Sequence, residues 1–280
     1  MRHRVVAREN NKLVNLNING EIMDLGLKDK VAVITGGSRG IGKAIALGFA
    51  KEGCHIAICA RNKAQLEKSV EEIKKNKVTV LGFSGDITKD NDVDRFTENV
   101  LSKFGRVDIL VNNVGGNKRN LFENTSTQDW KEIMDLNFLS HVNVTQRFLP
   151  VLKKQGKGSI IFISSIFGRE SGGVTLSIYN STKSALISLA KVMATELASE
   201  GIRVNSVAPG SIRFPGGSWD KRCISDPEGM AEFIRKELPI GRFGTVEEVA
   251  DVVCFLASDR ASLITGACIN VDGGQSRSLI

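Results

Sequence analysis

At 280 residues, 41% hydrophobic and 25% charged, the chain is long enough to bury a sizeable core and has the composition of a globular protein. Its net charge of +7 is interleaved with acids, without a basic stripe or a nucleic-acid-binding motif, which argues against a nucleic-acid partner; its apolar runs, such as residues 31–34 and 107–111, fall far short of the roughly 20 residues that cross a bilayer, so no membrane span is expected. Five cysteines (Cys54, Cys59, Cys223, Cys254, Cys268) without C-x-x-C spacing read as reduced thiols of a cytoplasmic protein with no metal site.

Residues 1–22 are polar, rich in Asn and Arg, and show no sustained period. They lack the apolar core of a signal peptide, and a flexible extension is expected there. Met23 opens the segment that runs into the fold and is an alternative start. No repeat or Pro/Ser-rich linker cuts residues 23–280, which are expected to form a single domain.

Residues 30–35 read as a short buried strand, with an apolar, mostly β-branched run over 31–34, as a central parallel strand should have. Directly after them comes Thr35-Gly36-Gly37-Ser38-Arg39-Gly40-Ile41-Gly42, which leads into a helical pattern over 43–51. The glycines permit a tight turn and let a pyrophosphate approach backbone N–H groups at the start of a helix, where the dipole favours an anion. A second strand over 54–60 ends in Ala60-Arg61, without the acid that usually bonds a ribose 2′-hydroxyl. The guanidiniums of Arg39 and Arg61 suit a 2′-phosphate instead, because their forked donors match phosphate oxygens. NADP(H) is therefore expected over NAD(H).

The alternation continues with a helix over 63–75, a strand over 78–84, the turn Gly85-Asp86-Ile87, a helix over 89–104 and a strand over 107–112 ending in Asn112-Asn113-Val114-Gly115. Such a pattern predicts an α/β fold: one doubly wound parallel sheet of about seven strands with helices on both faces. A helix over 127–154 carries Asn137, and Pro150 is expected to kink it near its end. A strand over 159–163 ends in Ser164-Ser165, at the edge where ligands sit in open α/β sheets.

Tyr179, the only tyrosine, is followed four residues later by Lys183, one turn along a helix. Lowering a phenol from a pKa of about 10 to about 7 requires roughly 4 kcal/mol. One cation about 4 Å away supplies about that much at an effective dielectric near 20. The pair suits an acid/base couple, although such pairs on helices commonly carry no chemistry. A strand over 202–208 leads to Pro209-Gly210-Ser211-Ile212-Arg213-Phe214. Residues 214–238, with Trp219 and Phe233, read as a substrate lid or as packing anchors. Residues 241–250 open a helix, and 264–274 hold the last strand.

The glycine loop, Asn137, Ser165 and Tyr179-x-x-x-Lys183, in that order, resemble the short-chain dehydrogenase/reductase family over about residues 27–274. The resemblance implies a Rossmann-type fold and hydride transfer between a nicotinamide and a carbonyl or secondary alcohol of a small substrate. It gives Ser165 the role of polarising the carbonyl oxygen and Tyr179 that of general acid/base. Lys183 would lower the Tyr179 pKa and bond the nicotinamide ribose, and Asn137 would anchor a water. It also implies cofactor contacts at Asp86, Ile87, Asn113 and Gly115 and along Pro209, Gly210 and Ile212, and a homotetramer. Phe214 stands where relatives commonly have threonine, and the 14 residues from Ser165 to Tyr179 are one more than usual.

The members nearest in pattern reduce 3-oxoacyl groups of acyl carrier protein and set basic residues at the ends of two long helices. Here Glu200 precedes Gly201 and reverses that sign, while Lys153, Lys154 and Lys157 keep some positive character. A small carbonyl or alcohol substrate is therefore expected. The alternatives are a 3-oxoacyl-carrier (or acyl-CoA) reductase and, more remotely, a catalytically silent nucleotide-binding regulator. Lys118 and Arg119 are placed to meet an anionic substrate group or simply to be solvated.

Overall fold

Strands β1 (Val5–Glu9) and β2 (Lys12–Leu16) pair antiparallel as a small separate sheet. The computed structural model describes residues 5–9, 12–16 and 24–279; the rest of the expected flexible extension over 1–22, and Met23, lie outside the described residues.

The main sheet follows from strands with no polar face. β3 (Val31–Thr35) and β6 (Ile109–Asn112) are buried at every position, as strands covered by helices on both sides must be. β4 (His55–Ala60), β5 (Val80–Ser84), β7 (Gly158–Ile163), β8 (Ile202–Pro209) and β9 (Cys268–Val271) complete it. All neighbours are parallel, in the order β5-β4-β3-β6-β7-β8-β9. The chain first builds outward from β3 to β5, then returns to place β6 on the other side of β3. The crevice at that switch, outside the carboxyl ends of the strands, is where such sheets bind ligands.

Helices α1 (Gly40–Lys51) and α9 (Val246–Ala257) cover one face with Ile45, Phe49, Val249 and Val253. The other face is covered by α3 (Asp90–Phe104) and two further helices, α5 (Ser140–Gln155) and α6 (Ser177–Leu197), through Phe96, Phe148 and Leu186. Phe96 and Phe148 meet edge to face at 5.9 Å, the arrangement aromatic quadrupoles prefer. Helix α2 (Lys63–Lys74) flanks the β5 edge.

The helix expected over 127–154 is not uniform. α4 (Thr127–Met134) passes through a π-helical turn, Asp135–Leu139, before α5 begins. Pro150 lies inside α5, which runs on to Gln155. The 214–238 segment holds two short helices, α7 (Ser218–Ser225) and α8 (Pro227–Glu237).

Candidate active site

The glycine loop closes as the residue spacing requires. Gly36 and Gly40 have φ of 68° and 54°, conformations open to glycine and costly for other residues. A side chain at Gly42 would collide with Asn113 Nδ2 and the Gly36 carbonyl. Asn113 pins the loop from β6: its N–H donates to Thr35 Oγ1 at 2.9 Å, and its Nδ2 to the Thr35 carbonyl at 2.9 Å.

The loop opens into a cleft of about 480 Å³ lined by Gly36, Ser38, Arg39, Gly40, Ile41, Gly42, Arg61, Asp86, Ile87, Asn113 and Gly115. All eleven were expected cofactor contacts. Asn62 and Gln65 at the start of α2 also line it and were not foreseen. Asp86 Oδ1 accepts from the Thr88 N–H and hydroxyl at 3.1 and 2.9 Å, so one carboxylate oxygen is spent on its own turn. Among the described residues Asp86 is the only acid in the lining. The cleft thus fits a dinucleotide: a helix N-terminus, close backbone and two cations.

An adjoining cavity of about 360 Å³ gathers Ser165, Tyr179, Lys183, Pro209, Gly210 and Ile212, and shares Ile41, Asn113, Gly115 and Phe214 with the first. The two form a continuous path across the switch point. At the end of β7 the serines diverge. Both line the cavity, but Ser164 Oγ donates to the Val207 carbonyl of β8 at 2.9 Å, whereas Ser165 lies close enough to Tyr179 to lower its pKa. The turn carrying Ser165 lies directly on α6, because a Cβ at Gly168 would approach the Lys183 backbone to 2.7 Å.

Lys183 is 3% exposed. Its Nζ donates to the Ile163 carbonyl at 2.9 Å and stands 5.8 Å from the centre of the Tyr179 ring. Burial pushes the ammonium down to about 8. The Tyr179 phenol is itself raised by burial, against the lowering influence of its Ser165 hydrogen bond and the Arg119 charge. The lowering of Tyr179 expected from Lys183 therefore falls here to Ser165 and Arg119, while Lys183 is turned toward the strand carbonyl.

Asn137 is fully buried and lines neither cavity. Its Oδ1 accepts from the Gly116 N–H at 2.8 Å, and its Nδ2 donates to the Gly116 carbonyl at 2.9 Å and to Thr182 Oγ1 at 3.0 Å. Thr182 in turn donates to the Tyr179 carbonyl at 2.9 Å. The π turn places Asn137 at this junction, and such insertions concentrate at functional sites. Thr182 was not foreseen; its position inside Tyr179-x-x-x-Lys183 was the available signal.

Over the mouth, Trp219, Phe233 and Phe243 stack with centroids 4.7, 5.3 and 6.1 Å apart. These rings anchor α7 and α8, as the packing alternative supposed, and Trp219 also lines the cavity. Lys118 is drawn away to Asp129 and to Glu132, the latter at 3.1 Å. Arg119 and, unforeseen, Arg222 remain in the lining.

The sheet order and the site at its switch point define a doubly wound α/β protein of the Rossmann type. Residues 36–276 match the adh_short_C2 family model, described as enoyl-(acyl carrier protein) reductase, and the chain belongs to the short-chain dehydrogenase/reductase family. It is 40% identical over 247 residues to a 3-oxoacyl-[acyl-carrier-protein] reductase FabG of Staphylococcus epidermidis, covering 88% of this chain and 98% of that one. L-Sorbose reductase from Gluconobacter frateurii, solved with NADPH and L-sorbose, superposes with a TM-score of 0.88 at 37% identity, covering 92% and 100% of the two chains. A 7α-hydroxysteroid dehydrogenase solved with NADH and 7-oxo glycochenodeoxycholic acid gives 0.84 at 31%, covering 92% and 98%. Among the described residues no helix is long and apolar enough to cross a membrane.

Proposed function

We propose that this chain is an NADP(H)-dependent oxidoreductase that interconverts a carbonyl and a secondary alcohol on a small substrate. The observation that carries this reading is the convergence of Ser165, Tyr179 and buried Lys183 on one cavity continuous with the glycine-loop cleft. Gly36 to Gly42 would hold the pyrophosphate, Arg39 and Arg61 the 2′-phosphate, and Lys183 the nicotinamide ribose. The nicotinamide, when bound, supplies or accepts the hydride. Ser165 donates to the substrate oxygen and steadies it, while Tyr179 delivers its phenolic proton to that oxygen or removes it in the reverse direction. Ser165 and the Arg119 charge would favour the phenolate left behind.

A small substrate is favoured over a carrier-bound one by the surface charges. Lys153 is paired with Glu200 at 2.6 Å and Lys157 with Asp259 at 3.0 Å, which leaves less free positive charge for an acidic carrier. The identity to FabG proteins favours the second reading, a 3-oxoacyl-carrier or acyl-CoA reductase. We expect 214–238 to act as a lid and the protein to assemble as a homotetramer, as in the family.

The test is NADPH oxidation followed by absorbance against a panel of small ketones and one 3-oxoacyl thioester. Turnover of a small ketone above the thioester supports the first reading, and the reverse order supports the second. NADPH binding with no turnover of any carbonyl contradicts both and favours a silent regulator.

A further inference from the structure

Arg119, in the loop after β6, and Arg222, on α7, line the same cavity as Ser165 and Tyr179, and among the described residues that lining contains no Asp or Glu. Neighbouring cations are neutralised: Lys118 by Asp129 and Glu132, and Arg213 by Asp220 at 3.0 Å. Among the described residues neither Arg119 nor Arg222 has an ion pair. The Arg222 guanidinium lies over the Trp219 ring at 5.0 Å, an attraction that holds it half-buried beside the cavity. Arg119 stands exposed at the rim. Its pKa is lowered, first by burial and then by the Arg222 charge, and drawn back up by Tyr179.

Two like charges converging without an acid oppose each other, and an incoming anion would relieve both. The cofactor phosphates have their own cradle. Arg39 and Arg61 line the glycine-loop cleft, and neither Arg119 nor Arg222 does. A guanidinium fork matches the two coplanar oxygens of a carboxylate.

We infer that Arg119 and Arg222 form a recognition site for a substrate carboxylate, so that the chain acts on oxo acids and their hydroxy-acid counterparts. The inference rests on the oxidoreductase reading above and names its substrate class. The carboxylate meets the two arginines at the mouth while the ketone reaches Ser165 and Tyr179 within. The reaction balances as ketone plus NADPH plus a proton giving secondary alcohol plus NADP+, with the carboxylate unchanged.

The test compares kcat/KM for a series of short oxo acids and their methyl esters, with NADPH affinity measured separately by fluorescence, in the wild-type protein, Arg119→Gln, Arg222→Gln and Arg119→Lys. The wild-type protein is expected to prefer acid over ester by about tenfold or more, and each Gln variant to lose about tenfold of that preference, mainly through KM. Arg119→Lys should recover part of it, while the NADPH dissociation constant holds steady. Wild-type protein that reduces ester as readily as acid overturns the inference and leaves the oxidoreductase reading standing. Loss of NADPH affinity in the Gln variants assigns the arginines to the cofactor and likewise overturns it. Reduction of no ketone at all overturns the oxidoreductase reading and this inference with it.

Discussion

Asn137 Nδ2 donates to Thr182 Oγ1 at 3.0 Å, and Thr182 Oγ1 donates to the Tyr179 carbonyl at 2.9 Å. The π turn between α4 and α5 is thereby tied to the helix that carries both Tyr179 and Lys183. Replacing Asn137 by Ala strips three hydrogen bonds from a fully buried position and leaves polar groups unpaired there. We predict a loss of about 2–4 kcal/mol in urea unfolding. In steady-state assays kcat should fall more than KM for the carbonyl, because Tyr179 loses its anchor while the cavity lining stays.

Arg39 and Arg61 both line the cofactor cleft, and hydrogen bonds to charged groups contribute about 1.5–3 kcal/mol each. Arg39→Ala and Arg61→Ala are therefore each expected to raise the KM for NADPH by about tenfold or more and to leave that for NADH nearly constant. The ratio of kcat/KM for the two cofactors reads this directly. An unchanged ratio would remove the arginines from the 2′-phosphate site.

Phe214 borders both halves of the cleft, and a Cβ at Gly40 would lie 2.8 Å from its ring. The ring rests on the glycine loop, where the threonine common among relatives would offer a hydroxyl. Phe214→Thr should tighten NADPH binding by about fivefold, equivalent to one hydrogen bond of about 1 kcal/mol, as measured by nucleotide fluorescence. Weaker binding would make the ring a packing element of the bound state.

Burial depresses Lys183 from 10.5 to about 8, which for a lysine is unfavourable to folding. Below pH 8 both states hold the proton and the cost is full, on the order of 3 kcal/mol. As the pH rises from 8 toward 10.5 the folded state sheds a proton that the unfolded state still holds, and the cost fades. Lys183→Met is expected to raise thermal stability at pH 7 by about 1–2 kcal/mol, the relief being partly offset by the orphaned Ile163 carbonyl, and to abolish turnover. Its advantage over wild type should shrink by pH 9.5 or so. An advantage that grows with pH would contradict the assignment.

The sheet and the cofactor cleft were legible because their signals are local. β3 is apolar from Val31 to Ile34, and the loop from Gly36 to Gly42 needs glycine where φ is positive or the backbone is crowded. The choice of Ser165 over Ser164 rests on its spacing of three residues from Gly168, as in the family, and not on any local signal of the strand. The π turn at Asp135–Leu139 was not legible, since a one-residue slip in hydrogen bonding leaves no mark in residue propensities. Nor was Arg222, which reaches the cavity only because Trp219, Phe233 and Phe243 stack across long separations in the chain. The approach of Lys183 to Tyr179 was legible, but the direction of the phenol pKa was not, because burial depends on the whole fold.

The central claim is that Tyr179 carries the proton to and from the substrate oxygen. Tyr179→Phe keeps the ring and removes only the hydroxyl, so it leaves the packing of α6 in place. On a ketone that the wild-type protein reduces with NADPH, the account predicts that kcat falls by about 100-fold or more, the span typical of a general acid/base, while NADPH binding is retained. Turnover by Tyr179→Phe equal to that of the wild-type protein would contradict it.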